Sequence, residues 1–305
     1  MPNTAQFDTA PTIREVVRPV NGLSMNVATC GNGPAMVLLH GFPDHWRVWR
    51  PLMERLGDTF TLFAPDQRGY NLTSRPPAVS DYRPEHLIAD AAALISSLGE
   101  DPVCLVGHDW GAVIAFWLAI ERPHLLKSLT ILNGAHPYLL QDAIWDDPGQ
   151  RAASQYVDML RSQEFENEVN ADAGERLARD WFSVDLASGR ITREDFEAGL
   201  EAWRSPGAWT AMLNWYRAAP FVIPKPAAPP PATRWTDGLD YKVKVPTQVI
   251  WGEKDPIFGS VVVAALKQHA AELDVHHLPG AGHVPQRDDP DTCAFLIRDF
   301  AKRFL

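Results

Sequence analysis

The chain has 305 residues, a formal net charge of −10 at pH 7 and 46% hydrophobic residues. That balance suits one large α/β domain, or a core with an insertion, and it argues against nucleic acid and anionic membrane surfaces as partners. Three cysteines at irregular spacing give neither a disulfide framework nor a metal pattern, and no Gly-rich phosphate loop appears, so no cofactor and no metal are expected. No apolar run approaches the length of a bilayer crossing, and residues 1–30 show no basic leader with an apolar core. The expectation is a soluble, cytoplasmic protein whose oligomeric state stays open, a homodimer included.

Up to about residue 134, short apolar runs near 24–30, 35–40, 61–65, 103–107 and 127–133 alternate with helical stretches. This is the pattern of a mostly parallel sheet flanked by helices. The run Met36-Val37-Leu38-Leu39 leads into the loop His40-Gly41-Phe42-Pro43. Further on, Val103-Cys104-Leu105-Val106 precedes Gly107-His108-Asp109-Trp110-Gly111, and a wholly apolar helical segment, 112–120, follows. Small residues around one central residue, between a strand and a helix, describe a nucleophile elbow. The turn is so tight that side chains beside the central residue would clash with the neighbouring strand and helix. The central residue is presented at a helix N-terminus, where free N–H groups favour negative charge.

From 135 to 240 the style changes. Strand signals stop, and polar helical stretches appear at 150–161, 175–182, 193–204 and 208–217. Six of the eleven tryptophans lie here, most of them read as packing. A proline-rich connection, 223–231, is stiff and extended. The α/β pattern resumes near 243, with the strand-like run Thr247-Gln248-Val249-Ile250-Trp251 before Asp255-Pro256, and Val275-His276-His277-Leu278 before the Gly-rich loop that carries His283. The expected organisation is a core in two parts, 1–134 and 241–305, interrupted by a helical cap, 135–240, that covers the elbow and excludes water. An aromatic-rich cap over a carboxylate suggests an apolar substrate.

The central residue of the elbow is Asp109, where a hydrolase of esters would carry Ser. A hydroxyl must lose its proton to attack, whereas a carboxylate is already ionised at neutral pH. It can displace at saturated carbon, opening a strained C–O or a C–halogen bond and leaving an ester on the enzyme. A histidine is then needed to activate water against that ester. The oxyanion of this second step forms on the Asp109 carboxyl, and its expected donors are the backbone N–H groups of Trp110 and Phe42. The order nucleophile, acid, histidine selects Asp255 as the acid and His283 as the base. Glu253 is the rival acid, closer to its strand and more exposed to solvent. Asn133, at the end of the preceding strand, has no charge with which to orient an imidazolium. His40 and His108 read as supports for the loop and the elbow. An ordinary helix N-cap would explain Asp109 alone, but not Gly107 and Gly111 around it.

With these pieces in place, the chain resembles the α/β-hydrolase superfamily over nearly its whole length. Within it, the His-Gly-Phe-Pro loop, the Gly-His-Asp-Trp-Gly elbow and two cap tyrosines resemble soluble epoxide hydrolases. The resemblance implies the α/β-hydrolase fold, a small apolar epoxide and water as reactants, a vicinal diol as product, and two phenols that hydrogen-bond the epoxide oxygen. Tyr216, in Leu213-Asn214-Trp215-Tyr216-Arg217, matches one of those segments, and Tyr156 matches the other less specifically, with Tyr138 as its rival. A haloalkane dehalogenase shares the Asp elbow but often carries Asn directly after His-Gly, where this chain has Phe42. A fluoroacetate-type dehalogenase carries Arg where this chain has Trp110 and Val113. A non-catalytic binding protein on the same fold is the reading from another class, disfavoured by the joint presence of nucleophile, acid and histidine.

Overall fold

A computed structural model describes residues 11–305 of the chain. Eight strands form one sheet: β1 (Arg14–Val20), β2 (Leu23–Cys30), β3 (Ala35–Leu39), β4 (Thr61–Pro65), β5 (Val103–His108), β6 (Leu126–Leu132), β7 (Thr247–Gly252) and β8 (Leu273–Leu278). Their spatial order is β1-β2-β4-β3-β5-β6-β7-β8. β2 pairs antiparallel with β1 and β4, and the remaining pairs are parallel. The core helices are α1 (Arg50–Leu56), α2 (Pro84–Ser96) and α3 (Trp110–Glu121). Between β6 and β7 come α4 (Pro137–Asp146), α5 (Pro148–Ala153), α6 (Tyr156–Arg161), α7 (Gln163–Ala171), α8 (Glu175–Ala187), α9 (Arg193–Arg204) and α10 (Ala208–Ala218). The chain closes with α11 (Ser260–Leu266), α12 (Pro285–Asp288) and α13 (Pro290–Lys302).

The central parallel strands β3, β5, β6 and β7 are buried on both faces, which is why they read as continuous apolar runs. One face packs on α1 and α13 through Trp49, Leu52, Met53, Cys293 and Ile297. The other packs on α2 and α3 and continues into the inserted helices. The register pairs Leu39 with Gly107, His108 with Leu132, Leu132 with Ile250 and Gly252 with Leu278. The C-terminal ends of five strands therefore lie side by side. The strand order reverses between β3 and β5, the position at which open α/β sheets bind ligands. The loops carrying Phe42, Asp109, Asn133, Asp255 and His283 all leave from this edge.

The structure differs from the sequence-based expectation in five places. β1 has no counterpart in the predicted strands: it is an edge strand whose residues are mostly exposed, with Pro19 inside it, so it lacks the apolar signature of its neighbours. The expected helix 150–161 is two helices, α5 and α6, with Ser154 and Gln155 between them. Gln150 donates to the Ser154 hydroxyl and to the carbonyl of Ile257, and Gln155 donates to the carbonyl of Pro224, so side-chain bonds to distant segments set the bend. Helices α4 and α7 were not among the expected elements, and α8 runs on to Ala187, past the expected end at residue 182.

Two indoles tie the inserted helices to the core. Trp203 Nε1 donates to the carbonyl of Pro43 (3.0 Å), and Trp215 Nε1 donates to the carbonyl of Arg68 (2.9 Å). Arg68 is itself fixed by a buried two-bond pair with Asp90, both bonds 2.7 Å. Removing one partner of a buried pair strands the other charge away from water. Asp90→Ala is therefore expected to destabilise the fold by about 3–5 kcal/mol. Urea denaturation followed by tryptophan fluorescence checks this through a lower midpoint, and an unchanged midpoint refutes it.

Candidate active site

Asp109 sits between the last residue of β5 and the first of α3, with φ 51° and ψ −120°. Its neighbours leave no room for side chains. A Cβ on Gly111 would lie 2.0 Å from the carbonyl oxygen of Leu39, and one on Gly41 would lie 2.3 Å from Oδ1 of Asp109. The close approach of the two loops lets the Phe42 N–H donate to Asp109 Oδ1 at 2.8 Å. The backbone N–H of Trp110, at the start of α3, also favours the charged form of the Asp109 carboxylate. One carboxylate oxygen thus rests on the Phe42 N–H while the other, Oδ2, faces His283.

His283 Nε2 lies 3.6 Å from Asp109 Oδ2, and Nδ1 donates to Asp255 Oδ2 at 3.0 Å. Asp255 is buried and receives four donors. Its Oδ2 takes His283 and Asn133 Nδ2 (2.7 Å), and its Oδ1 takes the N–H groups of Ile257 (2.7 Å) and Phe258 (3.2 Å). Glu253, the rival acid, pairs instead with the half-exposed His277 at 3.3 Å. Asn133 is the residue whose part sequence reasoning missed. It fails as an acid, but its amide also clasps Gly252, accepting from the N–H at 2.6 Å and donating to the carbonyl at 3.0 Å, so it locks the Asp255 turn. Its position at a strand end was the only sequence signal.

His40 and His108 are buried supports. His40 Nε2 accepts from the Gln67 N–H at 3.0 Å, and His108 Nε2 donates to the carbonyl of His283 at 2.8 Å. Burial drives both down to about 4, so both are neutral.

The same burial acts on the triad but is outweighed. Desolvation alone would lower His283, yet Asp255 and Asp109 flank the ring and the balance pushes it up to about 10. Burial raises the carboxyls of Asp109 and Asp255, and the His283 charge with the converging donors brings both below the ordinary carboxylate range. At neutral pH the three form carboxylate, imidazolium, carboxylate.

Tyr156, at the start of α6, and Tyr216, on α10, both line the cavity at Asp109 and pack edge-to-face, with ring centroids 6.3 Å apart. Tyr216 also packs edge-on against Phe42 (5.1 Å) and Trp110 (5.2 Å). Burial, with the nearby Asp109 charge, raises both phenols above their ordinary value, so both keep their protons. Tyr138, the rival, stacks on Tyr241 at 4.9 Å and does not line the cavity. The cavity itself measures about 690 Å³ and brings together Phe42, Asp109, Tyr156, Tyr216 and His283.

These features belong to one class of protein. The chain belongs to the alpha/beta hydrolase fold family, whose sequence profile matches residues 34–290. Within that family it groups with the epoxide hydrolases. It is 31% identical to epoxide hydrolase 3 of Mus musculus across 90% of this chain and 74% of that protein. It is 32% identical to the AB hydrolase superfamily protein YfhM of Bacillus subtilis (strain 168), across 92% and 96% of the two chains. Among solved structures, one of the novel epoxide hydrolases from metagenomes of hot environments matches with TM-score 0.84 and 31% identity, covering 96% of this chain and 99% of that one. The Bacillus megaterium epoxide hydrolase in complex with an inhibitor matches with TM-score 0.83 and 28% identity, covering 95% and 100%.

The charge arrangement has a sign that can be checked. His283 holds its proton at every pH below about 10, against 6.5 for an isolated imidazole. Its contribution to stability is therefore complete below about pH 6.5 and is lost as pH rises through about 10. Side-chain ¹⁵N NMR is expected to show an imidazolium at neutral pH, and Asp109→Ala and Asp255→Asn should each move its titration downward. A His283 ring that titrates near 6.5 in the unmodified protein would rule the arrangement out.

Proposed function

We propose that the chain is an epoxide hydrolase that converts a small apolar epoxide and water to a vicinal diol through an ester on Asp109. The observation that carries this reading is a buried carboxylate with one oxygen held by the Phe42 N–H, the other oxygen free beside His283, and two protonated phenols lining the same cavity. In the first step Asp109 Oδ2 attacks an oxirane carbon and the carbon–oxygen bond of the ring breaks. Tyr156 and Tyr216 donate to the departing oxygen, which stays attached as the neighbouring hydroxyl. In the second step His283 removes a proton from water and the hydroxide adds to Cγ of Asp109. Negative charge collects on Oδ1, where the N–H groups of Phe42 and Trp110 receive it. The bond from Cγ to Oδ2 then breaks, Oδ2 leaves as the second oxygen of the diol and takes the proton held by His283, and the added hydroxyl passes its own proton back to His283, regenerating the carboxylate and the imidazolium.

Esterification makes His283 a competent base. With Asp109 neutralised, only Asp255 still holds the imidazolium, so the proton is released more readily. The proton given up balances the one that the ring-opened oxygen takes up. Residues 135–240 serve as the cap in this reading, because they supply both phenols, and residues 1–134 and 241–305 supply the nucleophile, acid and base. We place the enzyme in the cytoplasm, where its three buried cysteines remain thiols. No helix of the described residues is long and apolar enough to cross a membrane.

Three results test the proposal. In a single turnover in H₂¹⁸O with enzyme in excess, the label should appear in the peptide containing Asp109 and not in the diol. Direct attack by water would put it in the diol and refute the ester. His283→Gln should alkylate and then stall, so intact mass should show protein plus one substrate. Tyr156→Phe and Tyr216→Phe should each slow alkylation, at a cost of roughly 1–3 kcal/mol per lost hydrogen bond. The double variant should scarcely alkylate, and full-speed alkylation by it, followed by stopped-flow tryptophan fluorescence, would remove the phenols from the mechanism.

A further inference from the structure

The space around Asp109 has two lobes of very unequal size. Asp109, Tyr156, Tyr216 and Ile257 border both and form the neck between them. The outer lobe, about 690 Å³, reaches the surface beside Met159 and Trp181, which are both exposed. The inner lobe is about 30 Å³ and is closed by Val113, Leu140, Ile144, Val157, Phe221 and Phe258, all buried. Apart from Trp110 and the residues of the neck, its one polar neighbour is Ser154, which already accepts a hydrogen bond from Gln150.

The inner lobe cannot easily grow. Val113 belongs to α3, the helix that the elbow starts, so it moves only with Asp109. Phe221 is held between Trp110 (centroids 6.0 Å apart) and Trp117 (6.4 Å, stacked). Phe258 follows the Asp255 turn and packs on His283 at 5.8 Å. Interiors packed in this way resist added methylenes.

Resting on the epoxide chemistry proposed above, we infer that the substrates are epoxides with one large apolar arm and, on the other oxirane carbon, at most hydrogen or a methyl or ethyl group. The attacked ring lies at the neck, with Asp109 on one side and the phenols on the other. Substituents on its two carbons then diverge into the two lobes. A void of about 10–15 Å³ accepts one water-sized group, so the inner lobe accepts about two heavy atoms. The outer lobe has the volume of a site for a drug-sized ligand. Val113, Leu140, Ile144 and Phe221 are thus the specificity-determining residues of the short side.

Three isomers of one lipophilicity test this: 1,2-epoxydecane, trans-2,3-epoxydecane and trans-5,6-epoxydecane. The first two should have kcat/KM values within about ten-fold of each other, and the third, with butyl on both carbons, should be slower by about 100-fold or more. Equal turnover of the 5,6 and 1,2 isomers overturns the inference. No diol from any isomer overturns the epoxide reading itself, and the inference with it. Phe221→Ala and, separately, Leu140→Ala should each shift the ratio of 5,6 to 1,2 turnover by about ten-fold toward the 5,6 isomer. An unshifted ratio in either variant with native circular dichroism removes the inner lobe as the cause. If neither variant folds, the ratio in the unmodified enzyme decides alone.

Discussion

The backbone of Asp109 is the constraint on which the rest of the site depends. A non-glycine residue in its conformation costs on the order of 1–3 kcal/mol and persists only where the surroundings over-determine it. Here they do. β5 ends one residue before Asp109 and α3 begins one residue after, and its N–H donates to the carbonyl of Asn133 at 3.3 Å. Gly111 lies against the carbonyl of Leu39, and Gly41 lies under the carboxylate, so β3, β5 and α3 meet with no intervening side chains. The crowding that demands glycine at these positions also brings the Phe42 N–H onto Oδ1. Tight packing and the hold on Oδ1 are one geometric fact.

Charge follows from that geometry. Burial opposes every ionised group in the triad, and each charge helps to hold the others ionised. Two carboxylates hold one imidazolium, and the Asp255 end is fixed by Asn133 and two backbone N–H groups that do not change during a reaction. The Asp109 end is the variable one. Under the proposed chemistry, alkylation there removes a charge from beside His283 and leaves the other side untouched. The ring is held as an acid while the nucleophile is free and becomes a base once the nucleophile is consumed. The sequence of the two steps is thereby written into electrostatics, with no movement of the histidine required.

Much of this was legible in the sequence, for a definable reason. The central parallel strands are buried on both faces and so appear as apolar runs, and the elbow, the His-Gly-Phe-Pro loop and the order Asp109, Asp255, His283 are signals carried by the sequence itself. What could not be read depends on contacts far apart in the chain. Asn133 was set aside because it carries no charge, yet its value lies in bonds to Gly252 and Asp255, more than a hundred residues on. The break between α5 and α6 has no Gly or Pro to mark it, since it is set by Gln150 and Gln155 reaching other segments. β1 hides for the opposite reason: an exposed edge strand has little apolar pattern to show. Tyr156 could be singled out only by resemblance, because its surroundings in sequence say nothing about which way it faces.

The inserted helices are more than a cover. Trp203 donates across to the carbonyl of Pro43, next to the residue whose N–H holds Asp109 Oδ1. Trp215 donates to the Arg68 carbonyl and is followed directly by Tyr216. The first bond lets the inserted helices steady the loop of Phe42 and Pro43, and the second lets the core steady Tyr216. Asp185 of α8 adds a tie to Arg287, which also pairs with Asp44 of the same loop. Docking of these helices therefore fixes both halves of the site together: the loop whose N–H holds Oδ1 and the phenols that line the same cavity. Under the proposed chemistry, inserted helices that sat loosely would cost more than exclusion of water, because the carboxylate and the groups that meet the departing oxygen would lose their alignment with each other.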